Sequence, residues 1–413
     1  MPTVKALLHP RHTPLFLAVL FALALFLRLV YVFAVVGDDG FGQGVEYYPY
    51  AEHFADGHGY WQEVAPGNRF YARRPPGLPL LLAALRVATG DAYKWAGRFV
   101  YCLLSAATVL TTYLLGRTAF NRPVALLAAA LMAVNPEAVY YCIQLNPAIM
   151  QMFFTSLILL YSVRLARHGR ALDAVCAGFW LGCSLLTRPH HSFYWVLLFV
   201  TLWLTGRAFL PALRRTAIVL GIVALVLLPW IVRNYGIYHT FMPGTSIFWR
   251  EFFVANHPSI LTDPRGFNMD LVPKEYDTLS ERELEARMRT QSMAIVREQP
   301  EVFVRLAFDR FIRLWRFYPH LEFVDLKYAL IMLLSYGLLF PFMLLGLGAA
   351  ARTRWRLHSL FYLLLAYYSL ICSIVVSYTR YRLTLESLLL CAAAAGLLKA
   401  RQLLRTRFAA ARA

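Results

Sequence analysis

Uninterrupted apolar runs of about 20 residues dominate this chain, and that is the length an α-helix needs to cross the hydrocarbon core of a bilayer. Composition agrees, because 59% of the 413 residues are hydrophobic and only 15% are charged, whereas ordinary globular chains carry roughly 25% charged residues. A soluble domain, a disordered chain, a coiled coil and a secreted disulfide scaffold are therefore excluded. The sequence predicts an all-α polytopic membrane protein.

Hydropathy divides the chain into about ten predicted spans within one membrane domain, 1–413. Two loops are much longer than the others: 37–95, for which we expect surface helices, and 233–327. The residues after them, 328–413, form a C-terminal helical part of three spans. Long loops between closely spaced helices usually carry function. The predicted spans are 14–36, 96–116, 122–139, 147–166, 171–187, 191–206, 214–232, 328–350, 357–378 and 382–398.

The formal net charge of +18 suggests nucleic acid binding at first sight, but the distribution of the charge argues against it. Basic residues cluster in alternate short loops, as in Arg352, Arg354 and Arg356, rather than along one polar face. Cytoplasmic loops of membrane proteins carry such an excess. We therefore expect a multi-pass protein of the plasma or inner membrane, with both termini cytoplasmic and the long loops facing outward.

The cysteines and histidines show no metal-ligand spacing. The cysteines contain no CxxC pair and lie mostly in apolar segments, which is typical of small buried residues. His190, His191 and His257 have no acids at ligand spacing, and we interpret them as non-ligands. No metal site is predicted, and the sequence leaves a divalent cation open. The six cysteines are Cys102, Cys142, Cys176, Cys183, Cys372 and Cys391.

Three acidic residues follow the first predicted span. Asp38 and Asp39 come directly after it, and Glu46 precedes Tyr47 in the same loop. A carboxylate just beyond the end of a membrane helix is well placed to act as general base for a hydroxyl acceptor at the membrane surface. The alternative is ordinary solvated loop charge.

Farther along the first long loop, two arginines precede a rigid turn. Arg73 and Arg74 are followed by Pro75-Pro76-Gly77, in which the prolines and the glycine restrict the backbone. Residues 78–87 then form an apolar segment that is too short to span a membrane. Guanidinium groups at such a turn can bind a phosphate through paired hydrogen bonds. Nonspecific contact with lipid headgroups is the alternative.

Arginines also stand beside later spans, where ionisable residues are costly and by default suggest function. Arg233 lies at the outward end of a span, and Arg380 and Arg382 precede the last one. For Arg382 the alternative is an ion pair with Glu386 one turn later. For Arg188, after the span that ends at 187, the alternative is extension of its side chain towards the headgroups.

The second long loop contains a signal for a helix start. Ser280 and Glu283 have the spacing of a capping box, and Leu279 and Leu284 that of the accompanying hydrophobic staple. The helix should end before Pro300, with apolar residues on one side and arginines on the other. Two locations fit this pattern, the bilayer surface and the outer face of the protein itself.

Taken in order, these motifs resemble the C-type glycosyltransferases related to protein O-mannosyltransferases and to lipid A aminoarabinose transferase. The resemblance covers most of the chain, and the ordered set is more specific than any single piece. The motifs are Leu27-Arg28-Leu29, the first-loop acids, Tyr47, Ala51, Gly57-x-Gly59-Tyr60, Arg74-Pro75-Pro76-Gly77-Leu78-Pro79-Leu80, Leu186-Thr187-Arg188-Pro189, Pro229-Trp230, Arg233-Asn234-Tyr235 and Arg380-Tyr381-Arg382-Leu383.

The resemblance implies transfer of a hexose or pentose from a polyprenyl-phosphate carrier to a lipid, glycan or protein acceptor on the outer side of the membrane. The distribution of charge argues against a nucleic acid partner, and no cofactor is certain. Arginines would stabilise the charge of the leaving phosphate. The residues expected to bind the donor phosphate are Arg74, Arg73, Arg233, Arg380 and Arg382, and those expected to line the substrate pocket are Tyr47, Tyr60, Asn234 and Tyr381.

Two positions depart from the pattern of that group. The resemblance implies an acid about four residues before Tyr47, where this chain has Gln43, and a second acid in the next outer loop, where it has Asn146. We therefore rank three first-loop acids as candidates for the catalytic base. The order is Asp39, Asp38 and Glu46.

Two other functions compete with an active glycosyltransferase. A polytopic transporter or a flippase for lipid carriers would also need intramembrane arginines, but it should show Gly/Pro-broken helices in two matching halves, and no such symmetry is evident. An inactive relative that serves as an assembly partner would explain the departures at Gln43 and Asn146.

Overall fold

The computed structural model describes residues 10–37, 44–263, 266–317 and 326–410, and most of these residues are helical. The predicted all-α membrane architecture is confirmed, with one short antiparallel hairpin in addition. The elements in chain order are α1 (Thr13–Leu29), α2 (Tyr48–Ala55), β1 (Gln62–Ala65), β2 (Asn68–Phe70), α3 (Gly77–Thr89), α4 (Tyr93–Ala119), α5 (Arg122–Ala133), α6 (Pro136–Tyr140), α7 (Ala148–His168), α8 (Ala171–Leu185), α9 (Tyr194–Gly206), α10 (Phe209–Tyr238), α11 (Phe248–Asn256), α12 (Glu281–Glu298), α13 (Pro300–Trp315), α14 (Leu326–Met332), α15 (Phe340–Ile374), α16 (Thr379–Arg382) and α17 (Glu386–Ala410).

Six helical stretches of the described chain are long and apolar enough to cross a membrane, and a pair bent by 44°, Arg122–Ala133 with Pro136–Ile143, is a seventh candidate. The predicted count of ten spans is not confirmed. Helices α8 and α9 have only 15 and 13 residues, which at ~1.5 Å per residue is shorter than the roughly 30 Å hydrocarbon core. The six stretches are Thr13–Val36, Gly77–Ala119, Ala148–His168, Phe209–Tyr238, Leu326–Ile374 and Thr379–Phe408.

The predicted span 328–350 and all but the last four residues of the predicted span 357–378 lie in the stretch Leu326–Ile374. Arg354, inside α15, has φ −136° and ψ 47°, which is not helical. It lies in the basic cluster that separates the two predicted spans. The two apolar segments are therefore present, and the chain breaks its helical path between them.

The two long loops meet on one face of the helix bundle, which we call the loop face and define by residues 44–76, 239–263 and 266–317. In the first loop, β1 and β2 pair with Gln62 opposite Phe70. The ring of Phe70 is buried in one apolar cluster with Phe253 and Met288 from the second loop. The loops therefore share a small core of their own.

Helix α12 begins where the sequence predicts. Ser280 accepts a hydrogen bond from the Glu283 backbone, and Glu283 reaches back to the Ser280 backbone, so the capping box is present. Leu284 and Met288 are buried in the shared loop core. Of the two predicted locations, the structure places α12 on the protein's own loop face.

Candidate functional site

A cavity of about 360 Å³ lies on the loop face, between the two long loops and the ends of the membrane helices. Arginines from four separate segments line it, since the first-loop turn, the end of α8, α11 and α16 each contribute. The two carboxylates among its described lining residues are Glu46 and Glu251. The lining arginines are Arg73, Arg74, Arg188, Arg250 and Arg380.

Arg74 lies between the two carboxylates. Its guanidinium is 3.1 Å from Glu46 Oε2 and 3.4 Å from Glu251 Oε1, and it lies over the ring of Tyr47 at 5.6 Å from the centroid. Burial lowers the pKa of Arg74, but Tyr47, Glu46 and Glu251 outweigh that effect and raise it overall. Arg74 therefore remains a cation in a partly desolvated position.

The other arginines of the cavity are not neutralised in the same way. Burial first, and then the charges of Arg73 and Arg74, lower the pKa of Arg250 to about 10. Buried nitrogens without a hydrogen-bond partner among the described residues include Nε of Arg73, Nε and Nη1 of Arg250, and Nε of Arg380. Buried donors of this kind are costly unless an acceptor satisfies them, so the cavity is suited to an anion with several oxygen atoms.

The arginine turn is anchored to the loop that follows α8. The backbone N–H of Gly77 donates to the Leu186 carbonyl at 2.6 Å. A Cβ atom at Gly77 would lie 2.6 Å from Thr187 Cγ2 and 2.8 Å from the Leu186 carbonyl oxygen, so this close approach needs glycine. The hydrogen bond and the close approach anchor the first loop at this turn, and they bring Arg74 towards Arg188.

A buried carboxylate holds the residues just before the turn. Glu281, in the first turn of α12, accepts hydrogen bonds from the backbone N–H groups of Tyr71 at 2.7 Å and Ala72 at 3.1 Å. The hydroxyls of Tyr238 and Ser246 also donate to it. Only 4% of Glu281 is exposed, and it connects the first loop, α10 and the second loop next to Arg73.

Aromatic rings support the arginines on the opposite wall. The guanidinium of Arg188 lies 4.8 Å from the ring centroid of Tyr381, and that of Arg380 lies 4.5 Å from the centroid of Tyr378. Cation–π contacts at these distances hold a guanidinium plane in place and leave its edge free to donate. This wall is built by the segments that follow α8 and α15.

The structure thus brings together six residues predicted from the sequence. One of the three candidates for the base is among them. Two of the others were predicted to line the substrate pocket, and three were predicted to bind the donor phosphate. The six are Glu46, Tyr47, Arg73, Arg74, Arg380 and Tyr381.

Three other predicted residues support the turn from behind. The hydroxyl of Tyr60 donates to the carbonyls of Arg74 and Pro75. Arg233 donates to the carbonyl of Tyr60 and, at 2.9 Å, to the side-chain oxygen of Asn234. Tyr60, Arg233 and Asn234 lie outside the residues that line the cavity.

Arg382 lies inside the helix bundle rather than at the cavity. It is fully buried and contacts Glu137 at 3.4 Å. The proposed alternative partner, Glu386, instead accepts a hydrogen bond from Asn135 at 2.8 Å. The helical i, i+4 spacing of Arg382 and Glu386 is therefore not used as an ion pair.

The remaining base candidates, Asp38 and Asp39, lie outside the described residues, as does Gln43. The chain is described again from Gly44, whose φ is +104° and where a Cβ atom would lie 2.3 Å from the Leu145 carbonyl oxygen. Asn146, the second departure, accepts a hydrogen bond from the Ala148 backbone at the start of α7. It therefore has a structural role there.

Arg250, Glu251 and Tyr378 were not among the sequence candidates, and Arg188 was predicted only as part of a motif and as a residue beside a span, without an assigned role. Arg250 and Glu251 form a polar pair between Trp249 and Phe252 in the short helix α11. This polar pair was the sequence signal that could have identified Arg250 and Glu251 as candidates. Among the described residues, no group of three or more His, Cys, Asp or Glu side chains could hold a metal ion.

Comparison with known proteins relates this geometry to one fold. Residues 73–232 match the model of a family described as dolichyl-phosphate-mannose-protein mannosyltransferase. The match begins at the arginine turn and includes Arg188. A comparison with curated proteins gave no significant match.

The solved structures that are similar to the chain include the following three. The apo oligosaccharyltransferase of Archaeoglobus fulgidus is 16% identical with a TM-score of 0.62, over 95% of this chain and 51% of that one. The oligosaccharyltransferase AglB from the same organism, in complex with an inhibitory peptide and a dolichol-phosphate, is 16% identical with a TM-score of 0.58. This match covers 95% of this chain and 51% of that one. ArnT from Cupriavidus metallidurans, bound to undecaprenyl phosphate, is 14% identical with a TM-score of 0.43. This match covers 92% of this chain and 77% of that one.

The chain spans about half the length of the oligosaccharyltransferases that it resembles. At this identity the likeness shows the fold. The resemblance to C-type glycosyltransferases that the motifs predicted is confirmed, and the chain is a multi-pass membrane protein of that fold.

Proposed function

We propose that the protein transfers a sugar from a polyprenyl-phosphate carrier to an acceptor on the outer side of the membrane. The observation that carries this proposal is the cavity with five arginines and two glutamates beside apolar helices. Such a cavity can hold the phosphate of a lipid carrier while the polyprenyl chain stays in the bilayer. The basic short loops support an outward orientation of the loop face.

In the proposed reaction, an acceptor hydroxyl oxygen attacks the anomeric carbon and the bond from that carbon to the phosphate oxygen breaks. The electron pair of the broken bond remains on the carrier phosphate. Arg74, Arg188, Arg250 and Arg380 would stabilise that charge, because they line the same cavity before the charge develops. The acceptor proton passes to a carboxylate.

Glu46 is the described acid placed best for that proton. Its carboxylate lines the cavity and is 45% exposed, so an acceptor can reach it, although it also contacts Arg74. Asp39 and Asp38 keep their place as the first two candidates for the base, since they precede Glu46 by only seven and eight positions in the chain. Glu251 is bound by the same arginine and would hold Arg74 in place.

The proposal is tested by transfer of labelled sugar from a polyprenyl-phosphate donor in reconstituted vesicles. Arg74→Ala should lower the transfer rate by about 10²- to 10³-fold, the usual cost of one electrostatic donor. Arg69→Ala is the matched control, because Arg69 lies in the same loop but outside the lining residues. Unchanged transfer and unchanged donor affinity in Arg74→Ala would show that this cavity does not bind the carrier.

The base is identified by the three single amide variants Asp39→Asn, Asp38→Asn and Glu46→Gln. Loss of a general base typically lowers the rate by about 10²- to 10⁴-fold, and we expect this loss in one of the three. Near wild-type rates in all three would rule out a first-loop base. An absence of transfer in the wild type with every donor would favour the assembly-partner alternative.

A further inference from the structure

Helix α13 has three distinct sides. Leu306, Arg310 and Leu314 are buried and face the protein. A second side carries the exposed charges of Glu301, Arg305 and Asp309. The third side is apolar and also exposed, with Val304 at 64%, Phe308 at 62% and Phe311 at 40% exposure. Exposed phenylalanine side chains beside a charged strip are typical of a helix that lies in a membrane interface.

The position of α13 beside α15 supports this comparison with a membrane interface. The indole N–H of Trp315 donates to the Ser369 hydroxyl at 2.9 Å, near the end of the apolar helix α15. Leu370, the next residue of that helix, is 59% exposed, as expected of a lipid-facing position. The apolar side of α13 therefore continues the lipid-facing surface of the bundle.

The buried side of α13 holds one wall of the cavity. Arg310 donates to the carbonyl of Ala255 and, at 2.7 Å, to the side-chain oxygen of Asn256. Both acceptors stand at the C-terminal end of α11, the helix that carries Arg250 and Glu251. The same guanidinium donates to the Ser373 carbonyl at the end of α15.

The C-terminal end of α13 contacts the opposite wall. Arg382 donates to the carbonyl of Leu314 at 3.3 Å and to that of Arg316 at 3.1 Å. Arg382 belongs to α16, which also carries the cavity residues Arg380 and Tyr381. Helix α13 is thus bonded to both walls of the cavity, while it contributes none of the described lining residues itself.

We propose that α13 is seated in the interfacial layer of the membrane, with Val304, Phe308 and Phe311 among the lipid acyl chains, and that this seating holds the two arginine-bearing walls of the cavity in register. The occupant of the apolar side is membrane lipid. Burial of the apolar side of α13 in lipid removes apolar area from water. The hydrogen bonds of Arg310 and Arg382 connect the position of α13 to the positions of α11 and α16. This inference concerns the lipid surface and does not depend on which reaction the cavity performs.

The first test measures lipid contact. Phe308→Cys carries a fluorescent label in vesicles that contain lipids brominated along the acyl chain, with labelled wild type as the background. We expect strong quenching at 308 and weak quenching for the matched label at Arg305→Cys on the charged strip. Equal and weak quenching at both positions would overturn the seating, and so would quenching at 305 alone.

The second test measures the connection to the cavity. In vesicles, Phe308→Asp should speed amide hydrogen exchange of α11 and α16 by about threefold or more, because exchange reports local opening. Phe308→Leu keeps the apolar side and should exchange like the wild type, as should the charged-strip control Arg305→Gln. Unchanged exchange in Phe308→Asp, with the protein folded, would refute the connection. If Phe308→Asp does not fold, Phe308→Ala replaces it under the same criterion.

Discussion

Two arginine–glutamate sites in this protein differ in their access to solvent. At the cavity, Arg74 contacts Glu46 and Glu251, and the three side chains are 14%, 45% and 26% exposed. Inside the bundle, Arg382 contacts Glu137 at 3.4 Å, and both side chains are fully buried. The residue types and distances are nearly the same, so the difference between the two sites lies in their surroundings.

The surroundings determine what each arginine can do. Arg382 lies 3.8 Å from the ring centroid of Tyr336 and donates to two carbonyls at the end of α13. A ligand could reach it only if the bundle opened. Arg74 faces a cavity, and an entering anion can compete with Glu46 for it. The comparison shows how the surroundings of an arginine–carboxylate pair decide its role in this protein. An enclosed pair contributes to stability, whereas an arginine that faces a cavity is available to bind a ligand.

The largest expected effect is on stability, at the buried site. Arg382→Ala leaves Glu137 without its cation in the bundle, and breaking a buried ion pair by removing one partner typically costs about 3–5 kcal/mol. Unfolding in mixed micelles, followed by circular dichroism, measures the loss. The double variant Arg382→Met with Glu137→Leu should recover most of it, because an apolar replacement removes both charges.

The cavity provides the matched variant for this experiment. Arg74→Ala should leave the free energy of unfolding within about 1 kcal/mol of the wild type, since a partly exposed ion pair contributes little. If Arg74→Ala destabilised the protein as much as Arg382→Ala does, the distinction between the two sites would be lost. A stable Arg382→Ala that failed to bind the carrier would return Arg382 to its predicted role as a phosphate ligand.

The second prediction concerns the chemistry of the open site. Arg74→Lys keeps the charge but loses the planar pair of donors, so we expect transfer to fall by about 10- to 100-fold while stability stays near that of the wild type. Donor titrations in vesicles separate the effect on affinity from the effect on rate. Full activity in Arg74→Lys would mean that a point charge suffices and that paired hydrogen bonding to the phosphate is not needed.

The sequence predicted those parts of the site that depend on local backbone signals. The turn at Pro75-Pro76-Gly77 and the start of α12 at Ser280 lie where predicted, because proline, glycine and capping residues act on their nearest neighbours. The order of the motifs likewise predicted the fold. The turn and the helix start can each be read from a few adjacent residues, whereas the fold required the whole ordered set of motifs.

Other parts of the site depend on contacts between distant segments. The spacing of Arg382 and Glu386 suggested a local pair, but the bundle brings Glu137, which is 245 positions away in the chain, to Arg382 instead. Arg250 and Glu251 reach the cavity only because α11 packs on α12 and α13. The helical periodicity of residues in α11 shows that this helix has an apolar side. The periodicity does not show which segment of the chain packs against that side.

A smaller effect is expected where the two loops are joined. Glu281→Gln removes the charge that accepts four hydrogen bonds next to Arg73, and loss of such buried acceptor capacity costs about 1–3 kcal/mol. Because the arginine turn would then be less fixed, carrier affinity should fall more than the rate at saturating donor. Glu283→Gln, in the same helical turn but exposed, is the control. Equal effects of both variants would show that Glu281 acts only through the N-terminal end of α12 and does not position the arginine turn.

The smallest expected effect is a dependence of stability on pH at Glu285. This carboxylate accepts hydrogen bonds from the backbone N–H groups of Trp249 and Arg250 at the start of α11, but burial outweighs them and raises its pKa from 4.5 to about 7. A raised pKa means that the folded protein holds the proton more tightly. The contribution is therefore fully present below pH 4.5 and is lost as the pH rises through about 7.

Wild-type protein should accordingly lose on the order of 1–2 kcal/mol of stability between about pH 5.5 and about pH 7, as this shift implies. Glu285→Gln, which resembles the protonated acid, should lose less over that interval, as thermal unfolding at both pH values would measure. Glu283→Gln is again the control, because its hydrogen bonds with Ser280 lower the pKa of Glu283, so that its contribution is lost only as the pH falls below the ordinary range. A wild-type slope that persisted in Glu285→Gln would assign the pH dependence to another group and leave the α11 wall of the cavity insensitive to protonation at this site.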